Sequence, residues 1–253
     1  NLRGSDVHCC PVFISHLLIG SQQATLFVDE RKLSAEVKSY LTELGIAVKP
    51  YEMAGEALQK WGEWNILIDP DEVSEALARQ VKANEVISKS SPVAAMKAVK
   101  NEAEQQGMRS AMLKDGIALV KWLHWLKPAV EAGRQTEISV SDKLEQLRSE
   151  QPLYRGLSFD TIAGYEGHGA IVHYEATHET DKPLDPRGLL LVDSGAQYQD
   201  GTTDITRTIA LGPLTDEQRK VYTLVLKGHI DLQLLHFPDG ASGTQLDAIA
   251  RAP

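Results

Sequence analysis

The chain has 253 residues, of which 42% are hydrophobic and 24% charged, as in an ordinary globular protein with room for two domains. Its net charge of −9 argues against nucleic acid as the main partner, because phosphate binding needs clustered Lys and Arg. The adjacent Cys9 and Cys10 exclude a disulfide framework and suit a reducing cytoplasm, and no apolar run approaches the ~20 residues that span a bilayer.

Strand-like and helix-like segments alternate through the first ninety residues, which predicts an α/β layer with a mostly covered sheet. Ser34 is placed to cap one of the helices and Gly45 to end it. The cluster Ser90–Ser91–Pro92 is the best domain boundary, because the pattern changes after it. We therefore predict a first domain at residues 1–90. The predicted strands are 13–19, 24–28, 47–49, 65–69 and 85–87, and the predicted helices are 33–44, 53–61 and 74–81.

A second domain is predicted at residues 91–253. It opens with a long amphipathic helix from Asn101, which Pro128 should end or kink, and a second helix follows from Thr136 to about Glu150. Beyond these helices we expect three strands and two closing helices. The strands are 170–174, 188–193 and 204–209, and the helices are 216–236 and a segment from about Thr244.

Two aspartates mark the ends of two of these strands. If the strands pair antiparallel with Asp193 opposite Asp204, then Val192 faces Ile205 and Leu191 faces Thr206, and both aspartates share one face. Opposed carboxylates have Cβ atoms about 5 Å apart and repel unless one takes a proton or a cation lies between them. Carboxylates alone favour Mg, Mn or Ca, while a mixed His and carboxylate site also suits Zn, Mn or Co.

Two other interpretations of the aspartates are open. Both could be ordinary turn residues beside the glycine-rich segment 194–203, although a carboxylate leaving a buried apolar strand is costly without a partner. Alternatively, the Asp193 segment is similar to the catalytic segment of an aspartic protease. That chemistry needs two aspartates that share a proton, so a chain with one such segment would have to form a homodimer.

Several segments resemble one known family. Residues 192–198 and 200–208 look like the first metal-ligand segment of Xaa-Pro aminopeptidases, which are pita-bread metallopeptidases, and are closest to their long, three-domain, cytosolic form. Residues 159–162 and 169–174 match the strand that carries an active-site histidine. Residues 1–7 and 11–13 resemble the middle domain of the long form. The resemblance therefore implies a creatinase-like α/β domain followed by the N-terminal half of a pita-bread catalytic domain.

The resemblance implies a role for four residues. Asp193 would bind one metal ion and Asp204 would bridge two, usually Mn. His173 would contact the substrate and stabilise the tetrahedral species, and Phe159 would line an apolar substrate pocket. The implied reaction is removal of the N-terminal residue from a peptide with proline in second position, by water that the metal ions activate.

The family's remaining ligands, a histidine and two glutamates, match nothing after Asp204. We therefore expect that the chain is a truncated piece of a longer protein and is inactive alone. A pita-bread domain that binds peptides or partner proteins without catalysis is a further alternative, and a homodimer is left open. His168, His173 and His178 are five residues apart, which makes them a poor set of metal ligands by spacing alone. His168 and His178 are expected in loops, and Trp61 and Trp64 in a core or an interface.

Overall fold

The computed structural model describes residues 2–60 and 62–253, so the prediction for Trp61 lies outside the described residues. The chain forms two compact units, Asn1–Gln106 and Gly107–Pro253, and has the α/β composition expected. Assignment of residues 1–90 and 91–253 to the two domains of the family remains a prediction.

The strands are Ser15–Ile19 (β1), Ala24–Val28 (β2), Ile46–Lys49 (β3), Asn65–Ile68 (β4), Glu85–Ser88 (β5), Tyr154–Leu157 (β6), Ile162–Tyr165 (β7), Leu189–Ser194 (β8), Ala196–Tyr198 (β9), Gly201–Thr202 (β10) and Ile205–Ala210 (β11). The α-helices are Ala35–Glu43 (α1), Ala54–Leu58 (α2), Glu75–Ala78 (α3), Pro92–Ala98 (α4), Glu102–Glu131 (α5), Glu137–Ser149 (α6), Asp216–Leu234 (α7) and Gly243–Ala250 (α8).

The first unit contains a mixed sheet in which β2 pairs antiparallel with β1 and parallel with β3. A second, parallel pair consists of β4 and β5. Helix α1 begins as predicted, because the Ser34 hydroxyl accepts the backbone N–H of Val37 and so satisfies one of the free donors of the first turn. Its Leu41 packs with Leu26 and Val28 of the sheet in a small core. Trp64, expected in a core or interface, is 60% exposed.

The second unit is built around α5 and α6. Trp122 and Leu126 of α5 and Leu144 of α6 are fully buried and form one core with Leu190 and Val192 of β8. Pro128 does not end the helix, which continues to Glu131. The prediction of α6 is confirmed, and its Thr136 cap forms a capping box with Ser139.

A three-stranded antiparallel sheet, in the order β11-β8-β7, carries the predicted aspartates. The predicted register is wrong by two residues, because Asp193 lies opposite Thr206 and Ser194 lies opposite Ile205. A shift of two residues leaves each side chain on its original face. Asp204 is therefore a diagonal neighbour of Asp193 on the same side of the sheet.

The prediction of a strand at residues 170–174 is wrong. The strand lies earlier, at β7, and a 3₁₀ turn at Glu166–Ala170 follows it. The N–H of Ile171 then bonds to the carbonyl of His168, and the N–H of Tyr174 to that of Ile171. These local bonds hold the β-branched pair Ile171 and Val172 in a turn, with both side chains exposed.

Two helices complete the second unit and agree with the prediction. Helix α7 begins at a Thr215 capping box and α8 at a Ser242 capping box. Gly228 allows their close approach, since a Cβ there would lie 2.1 Å from the carbonyl oxygen of Ala250. Among the described residues, no helix has the length and apolar character that crossing a bilayer requires.

Candidate metal centre

Asp193 is the next-to-last residue of β8, and Asp204 immediately precedes β11. Side chains alternate along a strand, so Val192 and Leu190 enter the core while Asp193 and Leu191 point to the opposite face. Asp193 is half-buried and Asp204 is exposed. The sheet thus presents both carboxylates on the face that is turned away from α5 and α6.

The two carboxyl groups interact directly. Burial, the negative charge of Asp193 and a hydrogen bond with Asp193 together raise the pKa of Asp204 above its ordinary value. Nonetheless, Oδ1 of Asp193 is buried and has no hydrogen-bond partner within residues 2–60 and 62–253. A buried acceptor without a donor is costly, so this oxygen of Asp193 is suited to a positive partner.

The segment between the two aspartates is a hairpin, β9 with β10, that folds back on itself. Thr203 is buried, and its hydroxyl accepts the N–H of Ala196 at 3.0 Å while its own N–H donates to the Ala196 carbonyl at 2.9 Å. The Ser158 hydroxyl donates to the carbonyl oxygen of Thr203 at 2.9 Å. Gly195 is required at this point, because a Cβ would lie 1.9 Å from that oxygen. Local bonds therefore determine the spacing of the carboxylates.

The hairpin is also bound to helix α5. Lys114 donates to both oxygens of Asp200, at 2.6 and 2.8 Å. Burial alone would raise the pKa of Asp200, but hydrogen bonds from Lys114 and Ser110 hold it below its ordinary value. Tyr198 donates its hydroxyl hydrogen to Asp115 at 3.0 Å. Together these contacts attach the hairpin to the core.

The other two predicted site residues lie in the same unit. Phe159 is half-buried and lies in the link between β6 and β7. His173 is exposed and has φ of 55°, in the left-handed region that non-glycine residues rarely adopt. Their functional roles remain predictions.

A buried polar cluster was not predicted from the sequence. Glu137 is fully buried and accepts hydrogen bonds from the backbone N–H of Tyr165 and the hydroxyl of Tyr174. Nδ1 of His168 lies 2.9 Å from the same carboxylate. His168 was expected in a loop but belongs to the 3₁₀ turn. The only sign of this cluster in the sequence was that Glu137 lies in the first turn of α6. An acid in that position normally indicates only a favourable contact with the helix dipole.

Comparisons with known proteins cover nearly the whole chain. Residues 1–104 match the model of the creatinase/prolidase N-terminal domain, and residues 106–253 match the model of metallopeptidase family M24. The second match spans more than half of the chain. The chain therefore belongs to metallopeptidase family M24.

Individual relatives agree with this assignment. A protein of Neurospora crassa named "Probable Xaa-Pro aminopeptidase P" is 42% identical over 99% of the chain and 39% of its own length. "Xaa-Pro aminopeptidase 1" of Dictyostelium discoideum is 43% identical over 99% of the chain and 40% of its own length. The chain thus spans about two fifths of the length of these curated relatives.

Among solved structures, the X-prolyl aminopeptidase of Caenorhabditis elegans superposes with a TM-score of 0.91 at 34% identity. The match covers 98% of this chain and 42% of the worm enzyme, which is described as a cytosolic enzyme with a di-nuclear active site. The aspartate pair of this chain fits a cation by its own chemistry. It offers hard oxygen ligands, a mutual repulsion that a cation would relieve, and a buried acceptor that no donor of residues 2–60 and 62–253 reaches.

Proposed function

We propose that the protein containing this chain is a metal-dependent aminopeptidase that removes the N-terminal residue from peptides with proline in second position. One observation carries the proposal: Asp193 has a buried oxygen without a hydrogen-bond partner among the described residues, and its neighbour is a second acid, Asp204. Membership of a metallopeptidase family makes a metal pair the natural partner for these acids. We propose manganese as the metal.

In this proposal, four residues of the chain have different roles. Asp193 and Asp204 would hold the metal ions, together with ligands outside the 253 residues. The bound metal pair supplies Lewis acidity, which lowers the pKa of water and polarises the scissile carbonyl. His173 binds the substrate near the developing negative charge, and Phe159 contributes apolar surface to the substrate pocket.

The substrate class rests on the relatives. The two curated relatives and the worm enzyme all carry the name of an aminopeptidase acting at an Xaa-Pro bond. The worm enzyme is described as cytosolic, and we propose the cytosol for this protein too. Dimer formation stays a prediction of the sequence alone.

The test uses the full-length gene product and an Arg-Pro-Pro peptide, with an Arg-Ala-Pro peptide as the matched control. We expect release of arginine from the first peptide only, loss of activity with a chelator, and recovery with Mn²⁺. The isolated 253-residue chain should be inactive on both peptides, because it carries only two of the expected ligands.

An acid pair that shares a proton is also the arrangement that aspartic proteases use, so the test includes pepstatin. Activity that survives the chelator and stops with pepstatin would refute the metal proposal. A full-length protein that binds Arg-Pro-Pro without cleaving it would favour the non-catalytic alternative.

A further inference from the structure

The carboxylate of Glu137 forms hydrogen bonds with three separate segments of the second unit, and we call it the Glu137 hub. It accepts the N–H of Tyr165 at 2.7 Å, the N–H of Lys182 at 3.2 Å and the hydroxyl of Tyr174 at 2.9 Å. Nδ1 of His168 lies 2.9 and 3.0 Å from its two oxygens. The other three groups all donate to this carboxylate, and a carboxylate oxygen is an acceptor, so we assign Nδ1 of His168 as a fourth donor.

The His168 turn lies on the face of the sheet that bears the aspartates. A Cβ on Gly164 would come 2.7 Å from the backbone nitrogen of Gly169, and a Cβ on Gly169 would lie 3.4 Å from Cβ of Leu191. Leu191 and Asp193 are two residues apart on β8 and share a face. The two glycines thus allow the 3₁₀ turn to rest on the aspartate face, beside Asp193.

The same hub holds both ends of the turn that carries His173. His168 at its start and Tyr174 at its end both bond to Glu137, and their rings lie 4.5 Å apart between centroids. His173 immediately precedes the second anchor and has the left-handed φ of 55°. A non-glycine residue keeps such a conformation only where its surroundings impose it.

We infer that His168 and Glu137 are positioning residues, which hold the exposed His173 over the aspartate face in the geometry that the reaction needs. This inference rests on the proposed function. His168 acts through its Nδ1–H bond to the buried carboxylate, not through contact with the substrate. An amide in place of the imidazole should therefore preserve the effect.

Two substitutions in the full-length protein test this role. His168→Asn retains a donor near the position of Nδ1, whereas His168→Ala removes it. With Arg-Pro-Pro, we expect His168→Ala to lower kcat by roughly 10- to 100-fold, as loss of supporting groups around metal sites typically does, with unchanged Mn²⁺ affinity. His168→Asn should recover most of that loss. The exposed His178 gives the control: His178→Ala should leave kcat unchanged.

Three results would overturn the inference: an Asn variant as impaired as the Ala variant, unchanged kcat in both, or a fall in Mn²⁺ affinity parallel to that in kcat. Hydrogen exchange of residues 166–176 gives a readout without catalysis. Exchange should accelerate there in His168→Ala and not in His168→Asn, and equal exchange in both would also refute the inference. If the Ala variant does not fold, Tyr174→Phe removes the other anchor and should accelerate exchange in the same segment.

Failure of the proposed function gives a different pattern. A wild-type protein without activity, or a His173→Ala variant with normal kcat, would refute the proposed roles. The exchange comparison would still decide whether Glu137 and His168 hold the turn.

Discussion

Two carboxylates of the second unit differ in what surrounds them. Asp115 is fully buried, and Arg148 binds both of its oxygens at 2.8 and 2.9 Å while Tyr198 donates to one of them. Asp193 also has a buried oxygen, but that oxygen has no donor among the described residues, and its neighbour is the acid Asp204. Removing a partner of the first carboxylate would leave a buried charge and destabilise the fold, whereas the second carboxylate is suited to a ligand from outside.

The contacts around Asp115 also support the aspartate pair. Tyr198 and Asp200 belong to the hairpin that joins Asp193 to Asp204, and both are bound to residues of α5. Gly201 allows this contact, because a Cβ there would lie 2.9 Å from Cβ of Ala111. We therefore expect substitutions around Asp115 to lower the free energy of unfolding strongly. Substitution of Asp193 should instead change how much a metal ion stabilises the protein.

The largest effect on stability is expected from Arg148→Met. Removal of one member of a buried ion pair leaves the other uncompensated and typically costs about 3–5 kcal/mol. Urea unfolding should show this decrease in the free energy of unfolding. The exposed Arg219 gives the control, since Arg219→Met should change it by less than about 0.5 kcal/mol. Equal effects of the two substitutions would mean that Asp115 does not depend on its partner.

The second prediction concerns Asp193→Asn in the full-length protein. At a Mn²⁺ concentration of about 100 times Kd, the wild type should gain about 2.7 kcal/mol of stability, and the variant should gain almost none. Without metal, the variant should be at least as stable as the wild type, because one of two repelling charges is gone. Unfolding with and without Mn²⁺ measures both quantities.

The exposed Asp142 of α6 is the matched control for that experiment. Asp142→Asn should keep the full gain from Mn²⁺. If Asp193→Asn also kept the full gain in stability from Mn²⁺, Asp193 would be an ordinary polar residue and not a metal ligand.

The sequence predicted the hairpin face correctly but not its register. Alternation along the strands places Asp193 and Asp204 on one face in any register that differs by two residues. Nothing local distinguishes the predicted pairing from the observed pairing of Asp193 with Thr206. The observed register depends on hydrogen bonds within the hairpin, such as that from the N–H of Ala196 to Thr203. The sequence of segment 194–203, which was predicted to be a loop, gave no indication of these bonds.

The supporting clusters could not be predicted for a different reason. Arg148 lies 33 positions from Asp115, and His168 lies 31 positions from Glu137. The periodicity of apolar residues shows which face of a helix is buried. It does not show which charged residue, distant in the sequence, will pair with a charged residue on that face. In contrast, Ser34, Thr136 and Thr215 act within one turn of their own helix, and a cap of that kind is visible in the sequence.

The third prediction tests the link between hairpin and helix by Lys114→Met. Loss of a hydrogen bond to a charged group should cost about 1.5 kcal/mol at neutral pH. Because the pKa of Asp200 is lowered in the folded state, this contribution is present above the pKa of the unfolded chain, near 3.8. It should disappear as the pH falls through the lower folded-state value.

Urea unfolding of both proteins over a range of acidic pH values gives the measurement. The difference between wild type and Lys114→Met should be constant near neutrality and shrink in acid. A difference that stays constant in acid would assign the effect to packing of the lysine side chain and not to its charge.

The smallest effect is expected from Tyr198→Phe, which keeps the buried ring and removes one donor to Asp115. Asp115 retains both bonds from Arg148, so the loss should be about 1 kcal/mol. Burial and the charge of Asp115 raise the pKa of Tyr198 well above its ordinary value, so its hydroxyl remains a donor at all pH values used. Tyr222→Phe on exposed α7 should change nothing measurable. A loss as large as that of Arg148→Met would show that the Tyr198 hydroxyl contributes as much as the Arg148 guanidinium to stabilising buried Asp115, and would contradict the expected order of the two effects.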